Sequence, residues 1–356
     1  MEFPESMYRR KFLRNGLLFT AGAAAAGVSP ILTESADAQR VITLNGAGAT
    51  FPVPLYERYF REFSRVNPSI RVNYQGIGSG GGIRQMIANT VDFAGSDAAM
   101  TDAQIAQVSR GVILVPTAGG AVVMAYNLPG VNNLRLSRAV YPEIFAGRIT
   151  NWNDPRIAQA NPGVNLPNRP IRPVVRADSS GTTFIFTNNL SAVNPYFRGR
   201  IGVGTAPRWT LPNVLAGRGN PGVAALVQRT PGSIGYMEFS FARQNRLPVA
   251  LVQNKQGQYI EPSLEQTENA LETVTFPENF RVFVGDPAQG YPIAGLTWLM
   301  VYRRYPDAAR ANAIKALIRW ILTDGQRINN SLEYTRIPPA VAQRAIAVVN
   351  DGVQGG

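Results

Sequence analysis

Ile42-Thr43-Leu44-Asn45-Gly46-Ala47-Gly48-Ala49-Thr50-Phe51-Pro52 is the stretch from which the fold can be read. A short β-forming run passes through small residues and reaches a proline suited to an early helical position. Ile42-Thr43-Leu44 therefore predicts a strand. Pro52 opens a helix with Leu55, Tyr56, Tyr59, Phe60 and Phe63 on one face, and Asn67-Pro68 stops it. The order then recurs: Ile70 to Gln75 reads as a second strand, Gly76 to Gly82 as a glycine loop, Ile83 to Asn89 as a second helix, and Val91-Asp92-Phe93 as a third strand. Strands alternating with helices specify an α/β class.

Further out, Gly295 to Tyr302 is strongly β-forming. Ile314, Leu317, Ile318, Ile321 and Leu322 trace the stripe of an amphipathic helix. These late segments are expected to share a domain with the first ones. Residues 121–292 between them carry more Pro-Gly punctuation, including Asn161-Pro162-Gly163, Asn220-Pro221-Gly222 and Thr230-Pro231-Gly232. The expectation is two domains: 39–120 plus 293–356, and an inserted 121–292. Adjacent strands crossing near Gly119-Gly120 and Pro292 would form a hinge able to close around a ligand.

Composition removes many chemistries. The 356 residues include no histidine and no cysteine, so triads with His, thiol nucleophiles, disulfides, lipidated cysteines and His/Cys zinc sites are all excluded. Catalytic residues and a metal site are not expected. The formal charge is +12, carried almost wholly by Arg, since Lys occurs only at 11, 255 and 315. Such a balance suits an anionic ligand, an anionic surface or nucleic acid. The Arg residues are scattered and not interleaved with aromatics, which argues against a nucleic-acid groove.

Residues 1–38 have the layout of an export signal: Arg9-Arg10-Lys11-Phe12-Leu13-Arg14, an apolar run from Leu17 to Val28, and Ala36-Asp37-Ala38 before Gln39. The run is too short to span a bilayer, and Pro30 interrupts its continuation. The paired arginines followed by Phe-Leu resemble a twin-arginine signal; an ordinary secretory signal is the alternative.

Three small-residue turns lead from an expected strand to an expected helix: Gly46 to Pro52, Gly76 to Gly82, and Arg176-Ala177-Asp178-Ser179-Ser180-Gly181-Thr182-Thr183. Helix starts offer unpaired N–H groups and a positive dipole end, and converging starts make an anion site. Thr50, Ser79, Ser180 and Thr182 sit there either as caps or as donors to a ligand. Arg176 is a fixed positive charge for an oxyanion, with Asp178 placed to hold its guanidinium. Asp97, after Gly95-Ser96, is the odd member. A carboxylate repels an anion unless the anion brings a proton to donate. Protonated phosphate does so, and fully ionised sulfate does not.

Together these residues resemble the phosphate-binding proteins of bacterial ABC-type phosphate uptake systems. The matching segments are Gly-Ala-Gly-Ala-Thr-Phe-Pro at 46–52, Tyr-Gln-Gly-Ile-Gly-Ser at 74–79, Ile-Ala-Asn-Thr-Val-Asp-Phe at 87–93, Ser-Asp at 96–97, Arg-Ala-Asp-Ser-Ser-Gly-Thr at 176–182 and Gly-Ser-Ile-Gly-Tyr at 232–236. The resemblance implies a two-lobed periplasmic-binding-protein fold, type II-like, joined by a two-strand hinge. It implies a periplasmic, monomeric protein that needs no cofactor, binds inorganic phosphate with arsenate as its mimic, and hands it to a membrane permease. Position by position it implies Thr50, Phe51 through its backbone N–H, Ser79, Asp97, Arg176, Ser180, Gly181 and Thr182 as ligands, with Asp178 steadying Arg176. Two positions depart from the family pattern: Gly80, where a second Ser is frequent, and Ser179, where Gly is common.

Three other readings compete. Gly76, Gly78 and Gly81, with Asp97 further on, fit a dinucleotide fingerprint. An exported phosphatase on a related fold has no evident activated nucleophile or leaving-group acid, and a carboxylate-only metal site is the route left open to it. A binder of another oxyanion, sulfate or molybdate, would have no use for Asp97.

Overall fold

The computed structural model describes residues 41–356. The export signal expected at 1–38 lies outside the described residues. Its neighbours downstream follow the expected alternation: β1 (Ile42–Gly48), α1 (Val53–Val66), β2 (Ile70–Gly76), α2 (Ser79–Ile87) and β3 (Phe93–Ser96). A long strand β4 (Val112–Tyr126) comes next, then β5 (Arg172–Arg176), α3 (Gly181–Val193), β6 (Leu215–Gly217), α4 (Gly219–Arg229), β7 (Ser233–Glu238), β8 (Ala294–Tyr302) and α5 (Ala308–Trp320).

These strands form one eight-stranded sheet in the order β2-β1-β3-β8-β4-β7-β5-β6. The first lobe is built on β2-β1-β3, all parallel. The second is built on β7-β5-β6, again parallel. Two strands join them. β8 lies antiparallel between β3 and β4, and β4 pairs with β8 through Val112–Ala121 before passing to β7 through Val122–Tyr126. Gly119 and Gly120 face Leu296 and Gly295 in that paired stretch, so the two crossing strands expected near 119–120 and 292 are adjacent. Pro116 lacks an N–H for the ladder. It sits where the register between β4 and β8 shifts, and the shift leaves Thr117 without an opposing residue.

The core follows the sequence pattern closely. Leu55, Tyr56, Tyr59, Phe60 and Phe63, the face expected for α1, are its buried residues. Tyr56, Phe60, Tyr74 and Phe93 pack against one another between α1 and the sheet, mostly edge-on or tilted, with Tyr74 and Phe93 stacked. Burying each aromatic side chain contributes about 1.5–3 kcal/mol. The late stripe is buried as well, but only its first three members lie in α5. Ile321 and Leu322 fall in a π-helical turn, Ile321–Gly325, where the Gln326 side chain donates to the Ile321 carbonyl at 3.0 Å.

Four local expectations need correction. β1 extends through the glycines assigned to its turn, because Gly46–Gly48 pair on both sides, with Tyr74–Gly76 and Phe93–Gly95. Gly80, Gly81 and Gly82 belong to α2 and not to a loop. Their smallness serves packing: a Cβ on Gly82 would lie 2.7 Å from Gly48 Cα and 2.8 Å from the Ala47 carbonyl, so α2 sits directly on the strand backbones. The third strand lies at 93–96 and not 91–93. Asp92 is drawn aside by the Asn45 N–H at 2.8 Å and by Arg310 Nη1 at 2.7 Å. Finally, Asn220-Pro221-Gly222 is the first turn of α4, where a proline costs no hydrogen bond.

Candidate functional site

The three turns meet. The β1–α1 turn brings Thr50 and Phe51, the start of α2 brings Ser79, and the end of β3 brings Asp97. From the second lobe the β5–α3 turn brings Arg176, Asp178, Ser180, Gly181 and Thr182. Thr50, Phe51, Ser79, Asp97, Ser180 and Thr182 are all buried, and Arg176 is 6% exposed. Contacts cross between the lobes: Ser79 Oγ accepts from the Gly181 N–H at 3.1 Å, and Thr50 Oγ accepts from Asn220 N at 3.1 Å. A Cβ on Gly181 would fall 2.5 Å from Ser79 Oγ and 2.6 Å from an Asp97 oxygen, so only glycine fits.

The hydroxyls are polarised by what they accept. Thr50 Oγ takes hydrogen bonds from both the backbone N–H and the side-chain amide of Asn220, at 3.1 and 3.0 Å. Ser79 Oγ takes them from the N–H groups of Asp97 and Gly181, at 3.2 and 3.1 Å. A hydroxyl has two lone pairs and one hydrogen. With both lone pairs engaged, each of these oxygens can only donate further. Thr182 Oγ accepts from the same Asn220 amide at 3.2 Å. Ser180 accepts from the Thr183 N–H at 3.0 Å, so its oxygen caps α3 while its hydrogen stays available.

Arg176 and Asp178 form the pair expected from their spacing. Arg176 Nε and Nη2 donate to the two Asp178 oxygens at 2.9 and 2.6 Å. The Gly219 N–H adds a further bond to Asp178 at 3.0 Å. Burial pushes the Asp178 carboxyl up, yet the Arg176 hydrogen bonds and charge, with Gly219, hold it below the usual carboxylate range. Arg176 Nη1 is buried without a hydrogen-bond partner. An unpaired buried guanidinium N–H is costly, and an oxyanion beside it removes that cost.

Asp97 is treated differently. It accepts from Thr297 Oγ at 2.8 Å, with Ser79 Oγ at 3.5 Å from its other oxygen. Burial pushes its pKa up to about 7, against the lowering effects of Thr297, Arg176 and Ser79; the charge of Asp178 adds to the rise. Arg176 thus acts on Asp97 across the site, though Asp178 holds its guanidinium. Asp97 is 1% exposed and lies among the three turns.

Sequence reasoning did not single out Asn220, Thr297, Tyr236 or Glu238. Tyr236 Oη accepts from the Arg176 N–H at 3.2 Å and bonds Thr183 Oγ at 2.7 Å, so one phenol anchors both ends of the β5–α3 turn. Glu238 is fully buried and receives the Ser240 N–H and hydroxyl; burial pushes its pKa up to about 8. Tyr334 Oη lies 2.7 Å from the Phe51 carbonyl and 2.9 Å from Glu238. The phenol has one hydrogen for these two acceptors, and a protonated Glu238 donating to it satisfies both. A fourth strand-to-helix turn, β6 to α4, was the available signal for Asn220. The others had none beyond the quoted 232–236 motif.

Among the described residues no cluster of carboxylates could hold a metal ion, and no helix is long and apolar enough to cross a membrane. A family model described as the PBP superfamily domain matches residues 33–325. Phosphate-binding protein PstS of Xylella fastidiosa (strain 9a5c) is 35% identical over 316 residues, spanning 87% of this chain and 85% of that protein. Phosphate-binding protein PstS of Methanocaldococcus jannaschii is 33% identical over 334 residues, spanning 87% and 86%. Among solved structures, the high affinity periplasmic phosphate-binding protein PfluDING, bound with phosphate, matches with a TM-score of 0.74 and 24% identity, over 86% of this chain and 93% of that one. The phosphate-binding protein from Stenotrophomonas maltophilia matches at 0.71 and 21%, over the same shares. These structural likenesses establish the two-lobed periplasmic-binding-protein fold expected from the sequence. The chain belongs to the PBP superfamily and, within it, to the PstS phosphate-binding proteins.

Proposed function

We propose that this chain captures inorganic phosphate in the periplasm and delivers it to the membrane permease of an ABC-type uptake system. The observation that carries the reading is a polarity. One buried site combines hydroxyls that can only donate, a guanidinium N–H with no partner, and a single acceptor, Asp97. Donors at Thr50, Ser79, Arg176, Ser180, Thr182 and the N–H groups of Phe51 and Gly181 take the unprotonated oxygens. Asp97 takes the oxygen that carries the proton. Asp178 holds Arg176 in place.

Two domains, 39–120 plus 293–356 and 121–292, close over the ligand by bending at the two shared strands. Arsenate, which carries the same proton, binds as a mimic. The protein works as a monomer, exported by the twin-arginine-like segment 1–38 and not held by a lipidated cysteine, since the sequence has none. It releases its ligand unchanged: the names of its relatives support a binding protein over an exported phosphatase.

Calorimetric titration at neutral pH tests this. Phosphate and arsenate are expected to bind and sulfate to compete poorly. Equal affinity for sulfate would remove the role given to Asp97, and no heat with any oxyanion would remove the function.

A further inference from the structure

Gly80 and Ser179 face each other across the seam between the lobes. The Gly80 N–H donates to the Ser179 carbonyl at 3.0 Å. A Cβ built on Gly80 would lie 2.2 Å from Ser179 Oγ and 2.5 Å from Ser179 Cβ. Rotating the hydroxyl relieves the first contact but not the second, because a Cβ is fixed by its backbone. Residue 80 can therefore carry a side chain only if residue 179 has none, or if the lobes stand further apart.

The seam has an inside and an outside. Ser79 and Ser180, one residue inward on each chain segment, are fully buried in the anion site. Gly80 and Ser179 are half-buried and line an open groove of about 380 Å³ together with Arg84, Phe184 and Thr205. The Ser179 hydroxyl bonds Thr205 Oγ at 2.9 Å, and the Ser180 N–H bonds the Thr205 carbonyl at 2.8 Å, so the knob is held rigidly by its own lobe.

We propose that Ser179 and Gly80 are one matched pair, a knob and a hole that seal the outer rim of the closed site and set how far the lobes close over phosphate. Ser179 and Gly80 are positioning residues, since neither is given a contact with the ligand. The pairing rests on the phosphate-binding reading for its function.

The test is a double-mutant cycle on the full chain with Gly80→Ser, Ser179→Gly and the double variant, read by phosphate titration and by thermal unfolding without phosphate. Gly80→Ser is expected to lower phosphate affinity about tenfold or more, as overpacking of a fitted contact does. Adding Ser179→Gly is expected to restore it to within about threefold of wild type. Because residue 80 lies in α2, replacing glycine there favours the helix, so the ligand-free Gly80→Ser protein should melt no lower than wild type. Wild-type affinity in Gly80→Ser, or a double variant no better than Gly80→Ser, would overturn the pairing. A wild-type protein that ignores phosphate would sink the function proposed above; the pair is then judged by small-angle scattering, where Gly80→Ser alone should be the less compact protein and equal compactness would reject it.

Discussion

The two walls of the site hold one aspartate each, and the molecule handles them in opposite ways. Asp178, in the β5–α3 turn, has both oxygens engaged by Arg176 and one also by Gly219, and its pKa is lowered. Asp97, at the end of β3, meets hydroxyls, and burial raises its pKa to about 7. The residue type is the same. What differs is the partner in contact: Asp178 has both oxygens on the Arg176 guanidinium, while Asp97 has only hydroxyls within hydrogen-bond reach, and in the function proposed above it accepts the ligand's proton.

Removing the cation should have the largest effect on this contrast. Arg176→Ala strips the site of its positive charge and leaves Asp178 buried and unpaired; a loss of phosphate affinity of about 100-fold or more is expected by titration calorimetry, on the scale of about 3 kcal/mol for a broken buried pair. Asp97→Asn replaces one of the two acceptor oxygens by an amide donor in a side chain of the same shape. Discrimination against sulfate is expected to fall by about tenfold or more in competition titrations, matching the cost of about 1.5–3 kcal/mol for a hydrogen bond to a charged group. The corresponding Asp178→Asn change should weaken phosphate and leave the phosphate-to-sulfate ratio unaltered; a shifted ratio would mean that the two aspartates share one role.

Ser79→Ala deletes one neutral donor. About fivefold weaker phosphate binding is expected, on the order of 1 kcal/mol, and a loss exceeding that of Arg176→Ala would put the arginine outside the site. The smallest effect concerns pH. Asp97 and Glu238 have folded-state pKa values above their ordinary 3.8 and 4.5, so the folded protein binds more protons than the unfolded chain in that interval. Their contribution to stability is present at acidic pH and is lost as pH rises toward about 7 and 8. Ligand-free Asp97→Asn should therefore lose less melting temperature than wild type between about pH 5 and pH 8, and identical slopes would show that Asp97 is not protonated in the folded state.

Much of the architecture was legible along the chain. The buried face of α1 is the one its spacing predicts, and Arg176 and Asp178 pair as their separation suggests. Legibility failed where glycine had two meanings. Gly46–Gly48 and Gly80–Gly82 read as turn residues, yet they are strand and helix residues, and it is Gly82 that lets α2 sit on the backbone of β1. It failed again for Thr297 and Asn220, which lie 200 residues from Asp97 and 170 from Thr50. Nothing near Thr297 in sequence marks it as a partner of the site, and Asn220 is marked only by its place at the strand-to-helix turn from β6 to α4.

The sequence by itself determined the α/β alternation, the absence of thiol and imidazole chemistry, and the kinds of group in the site: hydroxyls, backbone N–H, one arginine and an unusual aspartate. Those follow from residue type and from neighbours a few positions away. Only the tertiary structure decided which way each hydroxyl points and which aspartate is left unpaired. Direction and charge state depend on lone pairs filled by donors from the other lobe, such as Asn220 on Thr50 and Gly181 on Ser79, and on burial that no local segment can produce alone.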